Sequence, residues 1–428
     1  MNRKWNFLLL SLLVIATYFW GAPYATSPAE QSTFDSGDVA WMIVASAFVL
    51  LMTPGLAFFY GGMVNKKNVI STMLQSFVAL GVISVLWVVV GFSLSFGDSI
   101  GGIIGDPRTH FAFRDVGLTM HPEFSETIPF LLFALFQLKF AIITPALITG
   151  SFAGRIRFRA YILFMVLFSL IVYPPLAHMT WHPDGLLRNW GILDFAGGTV
   201  VHMSAGFAAL AGAIFLGKRT HADDQPANIP FVILGTGLLW FGWFGFNSGS
   251  ALGANADAVK AFANTNLASA TAMITWVFYE RFQNRKMSAL GACIGAIVGL
   301  VAITPAAGFV SIGASVLIGF IAALTSNWAI RLQSKFAVDD TLDVFPSHGV
   351  GGVVGMVLTG VLAEEVGLIS GDATVFVRHL ITLVAVAIGT FGVSYALYAV
   401  VNRIIPLRVR DDQEQRGLDH SQHGERMN

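Results

Sequence analysis

Long apolar runs recur along this chain, and they restrict its fold more than any single residue does. After residue 38, eleven runs are long and apolar enough to cross a hydrocarbon core about 30 Å thick as helices. The pattern predicts an all-α polytopic membrane protein with eleven transmembrane helices. The runs cover Val39–Met63, Val69–Phe96, Thr127–Ser151, Ala160–Thr180, Ala196–Leu216, Ile229–Ser250, Ala261–Tyr279, Ser288–Thr304, Phe309–Arg331, Ser347–Ala363 and Phe376–Ile404.

The composition agrees with a membrane environment and excludes several classes of protein. Hydrophobic residues make up 55% of the chain, and the mean hydropathy of +0.69 is too high for a soluble domain. The formal net charge is zero, so no basic field gathers a nucleic acid. The single cysteine, Cys293, forms no intrachain disulfide, and no metal or redox centre rests on thiols.

The first residues are typical of a signal peptide. Arg3 and Lys4 precede an apolar stretch from Phe7 to Trp20, and small residues around Ser27 suit cleavage. The alternative is a first membrane anchor that stays attached. The predicted division is a signal peptide at 1–29, a membrane domain at 30–406 and a C-terminal tail at 407–428.

The distribution of Lys and Arg orients the helices. Alternate loops, together with the C-terminal segment, hold seventeen of these residues, whereas the opposite loops hold five. The positive-inside rule then predicts an N-terminus outside and a C-terminus in the cytoplasm. Runs one to five and six to ten have opposite topology, which predicts a five-plus-five inverted repeat with one extra helix.

A short motif occurs once in each half. Asp194 precedes His202 by eight residues, and Asp340 precedes His348 by the same eight. In helices that enter from opposite faces, each histidine lies about 12 Å deeper than its aspartate, at about 1.5 Å per residue. Half a hydrocarbon core is about 15 Å thick. We therefore expect the histidines to meet near the midplane, where inverted-repeat transporters bind their substrates.

The histidine pair has two interpretations. Two neutral imidazoles that face each other can share a proton and line a narrow polar path. Alternatively, each is a buried histidine bonded to neighbouring hydroxyls, but the repeated spacing favours a functional pair. Asp194 and Asp340 are expected mainly to cap their helices, and Asp194 also lies near the outer mouth of a cation path.

Aromatic side chains are dense near the candidate site. Phe136 and Phe140 are four residues apart and share a helix face, as do Phe246 and Ser250. Such rings attract a cation and can plug a pore, which suits a gate. Membrane proteins are also rich in packed Phe and interfacial Trp, and from composition alone ordinary packing is the stronger interpretation.

Six ordered segments carry a more specific signal. They are T-P-G-L-A-F-F-Y-G-G (53–62), K-N-V (67–69), D-F-A-G-G-T-V-V-H (194–202), W-F-G-W-F-G-F-N-S-G-S (240–250), D-V-F-P-S-H-G-V-G-G (343–352) and G-L-D-x-x-x-H-G-E (417–425). These segments closely resemble the ammonium transporter (Amt/MEP/Rh) family, in its bacterial Amt branch. The resemblance implies a homotrimer of eleven-helix subunits, each with its own pore, in the bacterial inner membrane.

The resemblance also implies a role for each candidate residue. Trp181, Phe140 and Ser250 would recruit ammonium in an outer vestibule, and Asp194 would support that site from behind. Phe140 and Phe246 would stack as the gate where ammonium is deprotonated, and His202 and His348 would line the pore for ammonia. No enzymatic step, cofactor or metal is implied. A possible PII-type signalling protein would meet the tail at Gly417, Leu418, Asp419, His423, Gly424 and Glu425.

Two residues depart from the family pattern. Lys139 stands beside Phe140, near the middle of its run, where a lysine costs about 2.5–3.5 kcal/mol on insertion scales. Three interpretations are open: burial leaves the amine uncharged, the side chain points away from the lumen into a polar pocket, or it repels ammonium near the gate. Gly154 stands where an acid is expected before Arg155, which removes a charge partner and affects trimer packing or coupling.

Other functions fit parts of the sequence. Lys139 motivates an ammonium sensor that keeps the fold but conducts weakly or not at all. The two histidines alone also fit axial ligands of a haem, and Lys139 alone fits a retinal Schiff base. The six family segments favour ammonium transport over all three.

Overall fold

The computed structural model describes residues 34–222, 225–336 and 338–427, together with residues 8, 11, 12, 14, 15, 18 and 19. The predicted signal peptide lies almost wholly outside these residues and stays a prediction. Helices form at every predicted run, and we number them in chain order. They are α1 (Ser36–Met63), α2 (Lys66–Phe96), α3 (Phe130–Phe152), α4 (Phe158–Asn189), α5 (Gly198–Leu216), α6 (Ile229–Ala251), α7 (Ala256–Phe282), α8 (Ala289–Ile303), α9 (Ile312–Lys335), α10 (Phe345–Leu362) and α11 (Thr374–Ile404).

Nine of these helices, within the described part of the chain, are long and apolar enough to cross a membrane. The exceptions are α7 and α8. In α7 the buried Asn264 amide donates to the carbonyls of Ala307 (2.9 Å) and Val310 (2.8 Å), so polar residues in this helix bind non-helical backbone. Helix α8 has 15 residues, or about 22 Å. The fold is a helical membrane-protein fold, and the count of eleven spans stays a prediction.

The first helices of the two predicted halves, α1 and α6, pack closely through glycines. A Cβ atom on Gly235 would lie 2.3 Å from the backbone nitrogen of Phe59, and one on Gly242 would lie 2.3 Å from Met52 Cγ. Small residues allow helices to approach in lipid, where apolar burial alone does not drive association. Gly235 and Gly242 are therefore part of the interface between α1 and α6.

Helices α5 and α10 begin with the same irregular turn. Gly198–Met203 and Phe345–Val350 are π-helical, and each contains one of the two histidines. Helix α5 starts four residues after Asp194, two residues later than the predicted run, and α10 starts five residues after Asp340, two residues earlier than the predicted run. The 12 Å estimate for a continuous helix was therefore wrong. The histidines nevertheless meet, with their Nδ1 atoms 3.3 Å apart, and both aspartates are buried.

Helices α5 and α10 cross at glycine residues, which have no side chain. A Cβ atom on Gly206 would lie 2.2 Å from the backbone nitrogen of Gly349. A Cβ atom on Gly352 would lie 3.0 Å from the carbonyl oxygen of Gly198. Gly206 and Gly352 each follow their histidine by four residues. This pair of glycine contacts brings the two π-helical turns together.

The C-terminal tail docks on loops of its own chain, and we call this face of the molecule the tail side. The backbone nitrogen of Arg157 donates to the carbonyl of Leu407 (2.7 Å), and that of Val409 donates to the carbonyl of Arg155 (3.0 Å). A short helix, α12 (Asp411–Arg416), follows. Its buried Glu414 accepts a hydrogen bond from the backbone nitrogen of Thr220 at 2.6 Å. The tail thus joins the loops after α3 and α5.

The G-L-D segment of the tail binds the start of α2. Asp419 accepts hydrogen bonds from the backbone nitrogens of Ile70 (3.1 Å) and Ser71 (2.8 Å). Leu418 is fully buried, and its nitrogen donates to Asn68 Oδ1 at 2.8 Å. The other predicted tail residues complete this contact. Gly417 (φ 91°) and Gly424 (φ 74°) adopt left-handed backbone, His423 Nε2 lies 3.3 Å from Ser71 Oγ, and the Glu425 nitrogen donates to the Asp419 carbonyl.

We expect Gly206→Ala to lower the melting temperature of the purified protein. The new Cβ atom lies against backbone rather than a flexible side chain, and overpacking of this kind typically costs about 1–3 kcal/mol. The matched control is Gly392→Ala in α11, where a Cβ atom meets open space. That change should stabilise slightly, because alanine favours helix. Equal melting temperatures for the two variants would show that the glycine crossing is not restrictive.

Candidate functional site

A cavity of about 430 Å³ opens at the end of the molecule opposite the tail side, and we call it the vestibule. All four residues predicted to recruit the substrate line it. The vestibule wall includes Glu123, Phe124, Phe133, Gln137, Phe140, Trp181, Asp194 and Ser250. Seven aromatic residues and two carboxylates of this wall favour a cation, and one cationic side chain, Arg188, also lines it.

Hydrogen bonds fix the two polar elements of the vestibule. The Trp181 indole nitrogen donates to the carbonyl of Asp194 at 3.1 Å, which holds the ring in place. The Ser250 hydroxyl donates to the carbonyl of Phe246 at 2.8 Å, so its oxygen lone pairs remain available to an N–H donor. The Phe140 ring stands edge-on to Trp181, with centroids 5.8 Å apart. A small cation at this place would meet both rings and one hydroxyl oxygen.

Two stacked rings close the floor of the vestibule. Phe140 and Phe246 have centroids 4.1 Å apart and an interplanar angle of 30°. Both side chains are buried. Rings at this separation are in van der Waals contact, so no water-sized molecule passes between them unless one ring rotates.

His202 and His348 lie below the stacked rings and contact each other. Their Nδ1 atoms are 3.3 Å apart, and both side chains are almost fully buried. The His202 ring is 6.1 Å from the Phe246 ring, centroid to centroid. The residues predicted as gate and pore therefore form one continuous column from the vestibule to the two histidines.

The hydrogen bonds around Thr304 assign the protons on the pair. The Thr304 hydroxyl donates its one proton to the carbonyl of Leu300 (2.8 Å) and accepts from the Trp243 indole (2.9 Å). His202 Nε2, 3.3 Å from the same oxygen, must then be a donor, which leaves its Nδ1 as an acceptor. His348 Nδ1 consequently donates to His202 Nδ1, and His348 Nε2 becomes the free acceptor.

Sequence reasoning missed Thr304 and Trp243. Trp243 stacks on His202 with centroids 5.4 Å apart, and Thr304 sits where α8 ends. Neither residue belongs to a repeated motif, so its role depends on distances between helices. The only sequence feature that could have indicated either residue is the position of Trp243 in the aromatic segment just before Phe246.

On its tail side, His348 lines a cavity of about 10 Å³ together with Tyr60 and Ser347. About 10–15 Å³ is the smallest volume that accommodates one water-sized molecule. The path beyond the histidines is therefore narrow and has room for about one water-sized molecule at this point.

Asp194 caps helix α5 with all its acceptor positions in use. One carboxylate oxygen accepts from the backbone nitrogens of Gly197 (2.8 Å) and Gly198 (2.6 Å). The other accepts from the backbone nitrogen and the hydroxyl of Thr199. The carboxylate thus satisfies N–H groups at the first turn of the helix, where the helix dipole is positive. It acts on the vestibule through position and charge while its oxygens stay bound to the chain.

Asp340 is the counterpart of Asp194 but is only partly bonded. One oxygen accepts from the backbone nitrogen of Phe345 at 2.7 Å, and the other, Oδ1, has no partner in the described part of the chain. Burial raises the pKa of Asp340 to about 6, and the backbone N–H groups of Phe345 and Val344 oppose this shift. Asp340 lines a second cavity, of about 400 Å³, on the tail side.

Lys139 does not line the vestibule or the second cavity. It follows Gln137 and Leu138 on α3, and its position lies about 100° around the helix from Phe140. It shares a partly exposed face with Leu131, Leu132 and Leu135. The orientation agrees with a side chain that points away from the lumen, but no hydrogen bond or ion pair to Lys139 occurs among the described residues, so the expected polar pocket is missing.

The backbone conformation at position 154 explains why this residue is glycine, and this could not be predicted from the sequence. Its backbone is left-handed, with φ 81°, a conformation that favours glycine over an acidic residue. The neighbouring Arg155 is completely buried without an acidic residue before it. Its guanidinium donates to the Thr341 hydroxyl (2.7 Å) and to the carbonyls of Ser151 and Asp339.

Comparisons with known proteins show which family this chain resembles over most of its length. A model of the Ammonium Transporter Family matches residues 40–427. The ammonium transporter of Aquifex aeolicus is 45% identical over 406 residues, which cover 93% of this chain and 95% of that protein. The crystal structure of Saccharomyces cerevisiae Mep2 is 36% identical, has a TM-score of 0.83 and covers 89% of both chains. A structure titled Sensor Amt Protein is 29% identical, has a TM-score of 0.84 and covers 93% of this chain and 100% of that one.

We expect Asp340→Asn to stabilise the protein at pH 7.5 but not at pH 4. An acid whose pKa is raised from 3.8 to about 6 by folding destabilises the folded state progressively as pH rises through that interval. Asparagine keeps an acceptor for the Phe345 nitrogen and removes the buried charge. Thermal unfolding of both proteins between pH 4 and pH 8 measures the difference. A gap in melting temperature that does not grow with pH contradicts the assignment.

Proposed function

Since this chain belongs to the ammonium transporter family, we propose that it transports ammonium across a membrane by way of neutral ammonia. One observation carries the proposal: the cation-attracting vestibule, the stacked Phe140 and Phe246 rings and the histidine pair form a single column. The first part of this column suits a cation, and the last part is too apolar for one. The Aquifex aeolicus relative, which is 45% identical, is named an ammonium transporter.

Electrostatics explains why the cation has to lose a proton. Moving a bare ion into an apolar path costs many kcal/mol, because the desolvation is not compensated. Neutral ammonia avoids most of that cost. In the proposed mechanism Trp181, Phe140 and Ser250 replace part of the hydration of ammonium, the anionic Asp194 keeps the vestibule attractive to cations, and deprotonation precedes passage of the two rings.

The positions of the protons on the two histidines make the pair asymmetric. His202 Nε2 and His348 Nδ1 are donors, and His348 Nε2 is the free acceptor. Ammonia leaving the pair can donate an N–H to this acceptor while its own lone pair accepts from another donor. Transfer of a proton along the same pair would make transport electrogenic, and retention of the proton in the vestibule would make the protein a gas channel.

The assembly and orientation belong to the same proposal. We infer a homotrimer in the bacterial inner membrane that serves nitrogen uptake, with the N-terminus outside and the tail in the cytoplasm. The loops that contact the docked tail include Lys67, Arg155, Arg157 and Arg219, as the positive-inside rule requires for a cytoplasmic face. A PII-type protein would approach this face, where the tail holds three loops.

A sensor is the second candidate, and the similarity to a structure titled Sensor Amt Protein favours it. In that case the vestibule binds ammonium, the stacked rings stay closed and the tail transmits the signal. In the sequence, Lys139 is the feature that favours a sensor. Its position away from both cavities weakens the argument.

The main test is the current evoked by an ammonium step in proteoliposomes that contain the purified protein. We expect a saturable current that is lost or altered when both His202 and His348 are replaced by Ala. The matched control is His420→Ala, an exposed histidine of the tail, which should leave the current unchanged. No current and no ammonia flux, with ammonium binding retained, would refute transport and support the sensor.

We expect Lys139→Met to change the transport rate by less than roughly twofold, since the residue lies outside the column. The measurement is the same ammonium current at equal protein density. A large gain in rate would show that Lys139 blocks transport and would contradict its placement away from the gate.

A further inference from the structure

One wall of the vestibule is a stretch of chain outside the helices. Residues 191–195 lie between α4 and α5, and all five line the cavity. Backbone N–H groups in such a stretch have no partners in a helix or sheet of their own, so the buried ones need acceptors elsewhere. The position of Asp194 in this wall therefore depends on contacts with other parts of the chain.

Two hydrogen bonds hold the backbone at Asp194 and at the residue after it. The Trp181 indole of α4 donates to the Asp194 carbonyl at 3.1 Å. The backbone nitrogen of Phe195 donates to the carbonyl of Pro305, in the loop after α8, at 3.1 Å. These contacts leave the residue before Asp194 to be held by a different part of the chain.

His379 on α11 bonds to the residue before Asp194. Its Nε2 lies 3.0 Å from the backbone nitrogen of Leu193, and its Nδ1 lies 2.9 Å from the carbonyl oxygen of Met356 on α10. A backbone N–H only donates and a carbonyl only accepts, so Nδ1 carries the proton and Nε2 accepts from Leu193. His379 is buried, and a Cβ atom on Gly360 would lie 3.3 Å from its Cγ atom. The ring is therefore fixed between α10 and the vestibule wall.

The residue before His379 holds the other end of the same segment. Arg378 Nη1 donates to the carbonyl of Trp190 at 2.9 Å. Neither Arg378 nor His379 lines the vestibule itself. Both belong to α11, the helix that the predicted five-plus-five repeat leaves over. Two consecutive side chains near the start of this helix thus reach the stretch of chain that leads into Asp194.

We propose that His379 is a positioning residue of the recruiting site. By accepting the Leu193 N–H, it holds Asp194, and through the Asp194 carbonyl the Trp181 ring, where ammonium binds. This inference rests on the proposed function of the vestibule. The affinity for ammonium then depends on the fraction of molecules whose wall is in place, because only these present the complete site.

The test is a calorimetric titration of ammonium chloride into the full-length protein in lipid nanodiscs. The amide of His379→Asn reaches the Met356 carbonyl, as Nδ1 does, but is too short for Leu193, so the wall loses its acceptor. We expect the dissociation constant for ammonium to rise at least about fivefold, because fewer molecules hold the wall in place. The longer amide of His379→Gln offers an acceptor at the position of Nε2 and should keep the dissociation constant within about twofold of the unchanged protein.

Tyr398→Phe is the matched control for lost stability. It removes a buried hydrogen bond of the same helix, from the Tyr398 hydroxyl to the carbonyl of Ala208 at 3.2 Å, and Tyr398 does not line the vestibule. This variant should bind ammonium like the unchanged protein. Hydrogen exchange gives a second readout: amides 190–194 should exchange faster in His379→Asn and at the unchanged rate in Tyr398→Phe.

Equal ammonium affinity in His379→Asn and the unchanged protein would overturn the inference, and so would an equal loss in Tyr398→Phe or in His379→Gln. His379→Phe, which fills the same space without any hydrogen bond, is a second variant with the same expected loss, should the Asn variant not fold. Ammonium binding without current or flux in the unchanged protein would refute transport and leave the role of His379 intact. No ammonium binding at all would refute both.

Discussion

The crossing of α5 and α10 is the contact on which the rest of the molecule depends. Neither Gly206 nor Gly352 has a side chain, so each helix approaches the first turn of the other at backbone distance. This approach places His202 against His348, and the ring of Phe246 then rests on His202. A methyl group on Gly206 would lie 2.2 Å from the backbone nitrogen of Gly349, so the two turns would have to move apart.

The two Asp–His motifs are alike in sequence but differ in chemistry. Asp194 accepts four hydrogen bonds beside the vestibule. Asp340 has an oxygen without a partner, and its raised pKa brings its protonation close to neutral pH. The same spacing therefore produces a fully hydrogen-bonded carboxylate on one side and an acid with a raised pKa on the other. The difference arises from Gly197, Gly198 and Thr199, whose backbone is available to Asp194 in a way that the Asp340 loop does not reproduce.

Much of the architecture could be predicted from the sequence because it depends on periodicity and composition. Apolar runs predicted the helices, and the spacing of Asp and His predicted that the two histidines meet. The resemblance of six segments to a known family predicted the vestibule residues. What the sequence did not reveal depends on three-dimensional detail. The π-helical turns shift both helix starts, the proton order depends on Thr304 and Trp243, and Gly154 is explained by its backbone angle. Lys139 was the most conspicuous residue in the sequence, yet it faces away from both cavities.

The docked tail has a consequence for the order in which the protein is made. Asp419 caps α2 through Ser71, which precedes it by 348 residues, and Glu414 binds the loop at Thr220 from 194 residues away. A nascent chain therefore inserts α2 and α5 long before their partners leave the ribosome. The tail-side surface is completed last, after every helix has been inserted, and only a finished chain can present it.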